Sequence, residues 1–221
     1  MLKELQKIFQ RKGLMEQAVE ASHEMLKDDW EMFKEAIKSL RESETAEISI
    51  NIEEKDIKIN KYEREVRKKV LTHLAVNDVS DLNIGLVLIS IVIDIERIGD
   101  YTKNIVELAQ NHPGRLVFDP WESDIKYMEE TISKNFGVLI QALEESDATK
   151  AKNLLDELWK IKKQCDAFNM SLLKDDNFKL KVCDAVALAL YLRYLKRVAS
   201  HLMNVATSIV NPFHKIGYRK I

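Results

Sequence analysis

The 221-residue chain has few of the residues that interrupt helices, with six glycines and three prolines. Its two cysteines, Cys165 and Cys183, stand apart, so the sequence offers neither a disulfide framework nor a CxxC metal motif. The 34 basic and 36 acidic residues are mixed, which leaves no broad cationic surface for nucleic acid. The apolar run from Leu82 to Ile95 is shorter than the ~20 residues that span a bilayer. We therefore expect a cytoplasmic, all-α protein that touches membranes at most peripherally.

Apolar residues recur every three or four positions along most of the chain, which is the spacing of helices that bury one face. The pattern predicts three helices before a proline-containing stretch at 111–120 and three after it. The expected helices are Leu2 to Leu40, Ala46 towards Asn77, Ser80 or Asp81 past Ile105, Glu122 to Glu145, Thr149 to Leu173, and Asn177 to Val210. We expect residues 1–112 to form a first repeat, 113–120 a linker, and 121–221 a second, degenerate repeat.

Residues 46–60 are the least regular part of this pattern. Their apolar side chains alternate at first, as in a strand, but no turn residue separates them from the helical spacing that follows Tyr62. We predict that one helix begins near Ala46, capped by Ser43 or Thr45. Pro212 should end the last helix and leave a loose tail.

The residues with the clearest chemical meaning lie at 93–105, where the apolar run continues into charged residues. Glu96 and Asp100 are four positions apart, so they lie only ~40° from each other around a helix axis. They extend a stripe that begins with Ile89 and Ile93, which predicts that they leave the helix on a buried face. Two carboxylates there need a counter-charge, which either a cation from another helix or a bound metal ion would supply.

The second half of the chain repeats the first. Phe136, Ile140 and Leu143 each lie 103 positions after Phe33, Ile37 and Leu40. The segment Arg197-Val198-Ala199 lies 100 positions after Arg97-Ile98-Gly99. We infer an architecture of two tandem three-helix bundle repeats.

Two strings in the first half resemble the signature of the PhoU family of phosphate-uptake regulators. One is DIERIGD at 94–100, with Ser80-Asp81-Leu82 upstream and Asn104 downstream, and the other is Asp56-x-x-Ile59-Asn60-x-x-Glu63. The resemblance implies six helices in two repeats and a metal site formed by Glu96 and Asp100, with Asp56, Asn60 and Glu63 facing them. The resemblance implies iron or zinc as the metal, or magnesium or manganese as in other members of the family.

The second repeat departs from this signature. Lys196 and Ser200 replace Glu96 and Asp100, and Lys162 stands about where a facing carboxylate would be. An ammonium group repels a metal ion, so we expect the second repeat to have kept the fold and lost the site.

Two interpretations without a metal ion compete with the metal site. Arg97 or Lys103 would pair with Asp100, and Asp56, Asn60 and Glu63 would form a solvated helix face. The donors are all oxygens, which suit hard cations or iron, whereas structural zinc normally takes His or thiolate ligands.

By resemblance, we expect a regulator rather than an enzyme. It would act through metal-dependent contacts with a phosphate transporter and a sensor histidine kinase, and a homodimer is compatible with this. A carboxylate-bridged metalloenzyme and a metal-free helical adaptor are the alternatives. A His or a further Glu from the first helix would favour the metalloenzyme.

Overall fold

The computed structural model describes residues 13–77, 79–119, 121–174 and 180–218. These ranges form six α-helices and contain no strand, which confirms the all-α prediction. The helices are α1 (Leu14–Arg41), α2 (Ile52–Val76), α3 (Leu82–Asn111), α4 (Glu122–Glu145), α5 (Ala148–Lys174) and α6 (Val182–Val210). One-turn 3-10 helices at Val79–Asp81 and Phe213–Lys215 precede α3 and follow α6. No helix in the described ranges is both long and apolar enough to cross a membrane.

The helices pack as two bundles of three. α1, α2 and α3 contact one another, and α4, α5 and α6 do the same. The bundles meet through α3 against α6 and α1 against α4, which are pairs of equivalent helices. A single hydrophobic core extends through both bundles. The two-repeat architecture predicted from the sequence is therefore confirmed.

The connection between α1 and α2 corrects one prediction. The second helix begins at Ile52 rather than near Ala46, and Asn51 is its cap, because the Asn51 side chain accepts a hydrogen bond from the Glu54 amide. Ser43 and Thr45 therefore do not cap it. Ile48 and Ile50 pack against the core while Ser49 between them is exposed, so the strand-like alternation belongs to the irregular connection between α1 and α2.

The end of the chain also differs from the prediction. After Pro212, the Gly217 amide donates a hydrogen bond to the Thr207 hydroxyl at 2.7 Å. The Asn211 side chain donates to the carbonyl oxygens of Lys215 and Tyr218. The tail, as far as residue 218, is thus fastened to the end of α6 rather than loose.

A buried ionic network joins the two repeats. The Arg41 Nε donates to Glu129 Oε1 at 2.9 Å, and the same guanidinium reaches Glu122 and the Leu116 carbonyl. The Tyr191 hydroxyl donates to the same Glu129 oxygen at 2.6 Å. Burial raises the pKa of Glu129, and Arg41 opposes that rise. This network fixes the end of α1 against the second repeat, and α1 in turn forms one wall of the site described next.

Candidate cation site

Helix α3 places Glu96 and Asp100 on one face, as their spacing predicts, but that face is partly open. The Ile93 side chain on the same stripe is 40% exposed. The side chains of Glu96 and Asp100 are 15% and 31% exposed. The opposite face of α3 is buried in the core, and it carries Leu88, Ile91, Ile95, Ile98, Thr102 and Ile105. The two carboxylates therefore lie partly buried at the edge of the bundle, on a face that is less buried than the sequence predicts.

Helix α2 brings Asp56 and Glu63 beside them. Burial raises the pKa of Glu96, Asp100 adds to that rise, and Glu63 and Asp56 contribute further. The Asn60 amide donates to the Asp56 carbonyl oxygen at 3.0 Å, within the same helix. Four of the five predicted site residues thus share one negative field at the α2–α3 contact.

Helix α1 adds a carboxylate that the sequence analysis did not identify. Asp29 has 0% exposure. Neither of its carboxylate oxygens has a hydrogen-bond partner in the described part of the chain. Burial raises its pKa well above the ordinary value, and Asp28, Glu96, Asp56 and Asp100 raise it further. Asp29 is therefore a buried acid enclosed by the predicted site residues. We call Asp29, Asp56, Glu63, Glu96 and Asp100 the acidic cluster.

The glycine in the ERIGD string has a specific steric role in this cluster. A Cβ atom on Gly99 would lie 2.9 Å from Asp29 Oδ1 and 3.5 Å from Ile59 Cδ1. The first distance is shorter than a van der Waals contact. Gly99 thus makes room for the Asp29 carboxyl between α1 and α3.

The sequence did contain a signal for Asp29. It lies four positions after Met25 and four before Phe33, on the apolar stripe of α1. Its neighbour Asp28 is compensated instead. Although burial opposes it, hydrogen bonds from Lys55 and Lys58 lower the pKa of Asp28 overall.

Basic side chains already occupy the outer part of the acidic cluster. Lys103 Nζ lies 3.0 Å from Asp56 Oδ2, and Arg97 Nη1 lies 2.8 Å from Asp100 Oδ2. Arg97 Nε is also 3.6 Å from Glu96 Oε2. The ion-pair alternative from the sequence is therefore realised at these carboxylates, whereas Asp29 has no such partner.

The arrangement bears directly on metal binding. Among the described residues, no group of three or more His, Cys, Asp or Glu side chains is positioned to hold a metal ion as it stands. A cation would have to take the place of Lys103 and Arg97 beside the carboxylates. The donor set fits a hard cation or iron because every donor is an oxygen and Asp29 has two unpartnered ones. It fits structural zinc poorly, since the acidic cluster offers only carboxylates, whereas structural zinc normally takes thiolate or imidazole ligands.

The second repeat does not reproduce this cluster. Ile132, 103 positions after Asp29, is fully buried. Lys196 forms an ion pair with Asp166, and the Ser200 hydroxyl donates to the Lys196 carbonyl. Lys162 lies half-buried near Lys196. The equivalent position is thus basic where the first repeat is acidic.

Comparison with known proteins places the acidic cluster within one family domain. Residues 22–109 match the family model described as the PhoU domain, and this range contains every residue of the acidic cluster. The first repeat is a PhoU domain. The resemblance drawn from the sequence strings is thereby confirmed. The second repeat lies outside the matched range.

Solved structures match the PhoU fold across most of the chain. The structure of PhoU from Pseudomonas aeruginosa matches with a TM-score of 0.78 and 19% identity, over 89% of this chain and 95% of that one. The phosphate transport system regulatory protein PhoU from Streptococcus pneumoniae matches with a TM-score of 0.67 and 18% identity, over 89% and 91%. Comparison with curated protein sequences gave no match. At these identities the structural matches establish the fold of both repeats.

Proposed function

We propose that this protein regulates phosphate transport and phosphate-starvation signalling, and that it does so through protein contacts rather than catalysis. The PhoU domain in the first repeat supports this role. The Streptococcus pneumoniae protein of the same fold is described as a phosphate transport system regulatory protein. The partners we propose are a phosphate transporter and a sensor histidine kinase.

The regulatory contact is proposed to depend on a cation in the acidic cluster. The observation that carries this proposal is Asp29, a fully buried carboxyl with two unpartnered oxygens. An uncompensated buried acid is costly to keep, and a bound cation removes that cost. Asp29, Asp56, Glu96 and Asp100 would hold the ion, with Asn60 and Glu63 beside them. Magnesium, manganese or iron suits these oxygen donors.

The position of the acidic cluster links the cation to partner binding. Glu96 and Asp100 lie at the partly open edge of α3 rather than deep in the core. When the ion is bound, it neutralises the negative field of the α2–α3 face. A partner that docks on that face would therefore meet a different charge in the two states.

A carboxylate-bridged metalloenzyme is the second candidate, because Asp29 supplies the acid from the first helix that such a site would need. Iron-loaded protein would then consume oxygen with a reducing agent, and Asp29→Asn would lose that activity. A regulator without redox function would show only the background rate in both proteins.

Affinity capture from phosphate-starved cells tests the regulatory proposal. The wild-type protein is compared with Glu96→Gln/Asp100→Asn in buffer that contains magnesium and manganese. The control is Glu107→Gln/Glu130→Gln, which removes two charges from exposed positions of α3 and α4. We expect wild type and control to retain a phosphate-transport component and a sensor kinase, and the site variant to recover at least tenfold less.

Two outcomes contradict separate parts of the proposal. Equal recovery by the site variant would reject dependence on the cation. Recovery of no phosphate-transport or sensor-kinase component by the wild-type protein would reject the regulatory role itself.

A further inference from the structure

The second repeat carries a group of basic side chains that the proposed function does not use. We call Lys162 and Lys163 of α5 and Lys196 and Arg197 of α6 the basic cluster. In the described part of the chain, one carboxylate pairs with it, because Lys196 binds Asp166. The other three cations form no ion pair with a described carboxylate. A group of close like charges with one counter-ion has an excess of positive charge.

Lys162 lies at the centre of the basic cluster. It is half-buried, and its Nζ sits 5.7 Å from the centre of the Trp159 ring. Burial lowers the pKa of Lys162 and Lys196 lowers it further, Asp166 opposes that fall, and Arg197 and Lys163 add to it. A partly desolvated ammonium group without a counter-ion is costly.

Arg197 is held in place entirely by neutral groups. Its Nε donates to the Tyr101 hydroxyl at 3.0 Å, and one Nη reaches His201 Nε2 at 3.3 Å. His201 Nδ1 lies 2.7 Å from Asp94 Oδ1, so Nδ1 carries the proton and Nε2 is the acceptor. These contacts leave the guanidinium charge without a described carboxylate partner, and further N–H donors remain for a ligand. Because these contacts come from α3 and α6, the Arg197 side chain is already oriented.

The basic cluster occupies the position in the second repeat that is equivalent to the acidic cluster in the first. Lys196 and Ser200 lie 100 positions after Glu96 and Asp100, at the corresponding point of α6. The first repeat presents two carboxylates there beside Arg97, and the second presents an ammonium group and a hydroxyl beside the equivalent Arg197. We propose that the basic cluster binds a small multivalent oxyanion of the phosphate class.

The chemistry of the donors favours such an ion over a simple halide. Arginine and lysine make charge-assisted hydrogen bonds to oxyanions, each contributing more than a neutral bond. A tetrahedral dianion accepts from several of these donors at once, whereas chloride has a single charge and no oxygen geometry to match the guanidinium fork. The Ser200 hydroxyl bonds to a backbone carbonyl and can rotate towards a ligand.

Calorimetric titration of the full chain with inorganic phosphate tests this inference. The protein is first freed of metal on a chelating resin and is titrated in potassium chloride of constant ionic strength. We expect saturable binding of phosphate that Lys162→Gln weakens at least tenfold. The matched control Lys152→Gln removes an exposed lysine from the same helix and should leave the affinity unchanged within twofold. Lys162→Gln should fold normally, because Lys162 forms no ion pair with a described carboxylate and its charge is partly desolvated.

Three results would overturn the inference. The first is the absence of saturable binding by the wild-type protein at millimolar phosphate. The second is equal affinity in Lys162→Gln and Lys152→Gln. The third is loss of phosphate binding in Glu96→Gln/Asp100→Asn, since that would place the anion in the first repeat. None of these results depends on whether the acidic cluster binds a cation.

Discussion

Asp29→Asn is expected to abolish most of the thermal stabilisation that a divalent cation gives the wild-type protein. Asp29 is the one acid of the cluster with no basic partner in the described chain. We therefore expect it to contribute more to the binding free energy of a cation than the other acids do. A ligand at 100 times its Kd stabilises a native protein by about 2.7 kcal/mol. For a chain of this size that corresponds to roughly 5–10 °C in melting temperature. Differential scanning calorimetry with and without manganese measures the shift.

The same calorimetry needs a control for the loss of a negative charge. Glu107→Gln removes an exposed carboxylate of α3 and should keep the full shift. A shift in Asp29→Asn as large as in the wild type would show that Asp29 takes no part in cation binding.

The pH dependence of the metal-free protein has a predicted sign. Burial raises the pKa of Asp29 well above its ordinary value, so the native state holds a proton that the unfolded chain has lost. The contribution of Asp29 to the free energy of unfolding is fully present below its pKa in the unfolded chain, near about 4. It is lost as the pH rises towards its pKa in the folded protein. One such group contributes a slope of about 1.4 kcal/mol per pH unit. Urea unfolding from pH 5 upwards should show stability that falls with pH in wild type and falls less steeply in Asp29→Asn.

Gly99→Ala is expected to destabilise the protein by about 1 kcal/mol when Asp29 is present and to stabilise it when Asp29 is absent. The new methyl group would lie 2.9 Å from Asp29 Oδ1, and forcing an extra carbon into a packed site costs about 1–3 kcal/mol. Alanine is the better helix former by about 1 kcal/mol, so that gain appears once the contact is removed. Urea unfolding of Gly99→Ala in the wild-type and Asp29→Ala backgrounds measures both effects.

Gly85 provides the matched control on the same helix. A Cβ there would lie 2.9 Å from Leu74 Cδ1, the mobile end of an apolar side chain unconnected with Asp29. The effect of Gly85→Ala should be the same in both backgrounds. If Gly99→Ala also has the same effect in both, the steric role assigned to Gly99 is wrong.

The part of the site that lies on one helix could be predicted from the sequence. Glu96 and Asp100 share a face because helical geometry alone fixes their relation. The pairing of Lys103 with Asp56 depends on the register between α2 and α3, which spacing along the chain does not encode. The sequence raised an ion pair as an alternative for Asp100 but could not assign which cation meets which acid.

Asp29 was missed for a related reason. In the string KDDWEMFKE its charge resembles that of a solvated helix face, although its spacing from Met25 and Phe33 places it on the apolar stripe. The acid becomes meaningful only when α1 packs against Gly99. The error at 46–51 has a different cause, because the alternation of Ile48 and Ile50 was a true sign of a non-helical segment and the helical pattern beyond it was carried too far back.

The charge reversal of the second repeat was visible in the sequence, since Lys196 and Ser200 replace the two acids at a constant offset. The contacts made by the basic side chains of the second repeat could not be predicted from the sequence. Arg197 has only neutral partners because Asp94 bonds His201 across the α3–α6 contact, and this depends on how the repeats pack. The proposed anion site of the second repeat could therefore be inferred only from the tertiary structure.

Elemental analysis after equilibrium dialysis against buffered manganese tests the cation site most directly. We expect the wild-type protein to retain a stoichiometric amount of metal and Glu96→Ala/Asp100→Ala to retain little or none. Equal metal content in the two proteins would contradict a cation site formed by the acids of α1, α2 and α3.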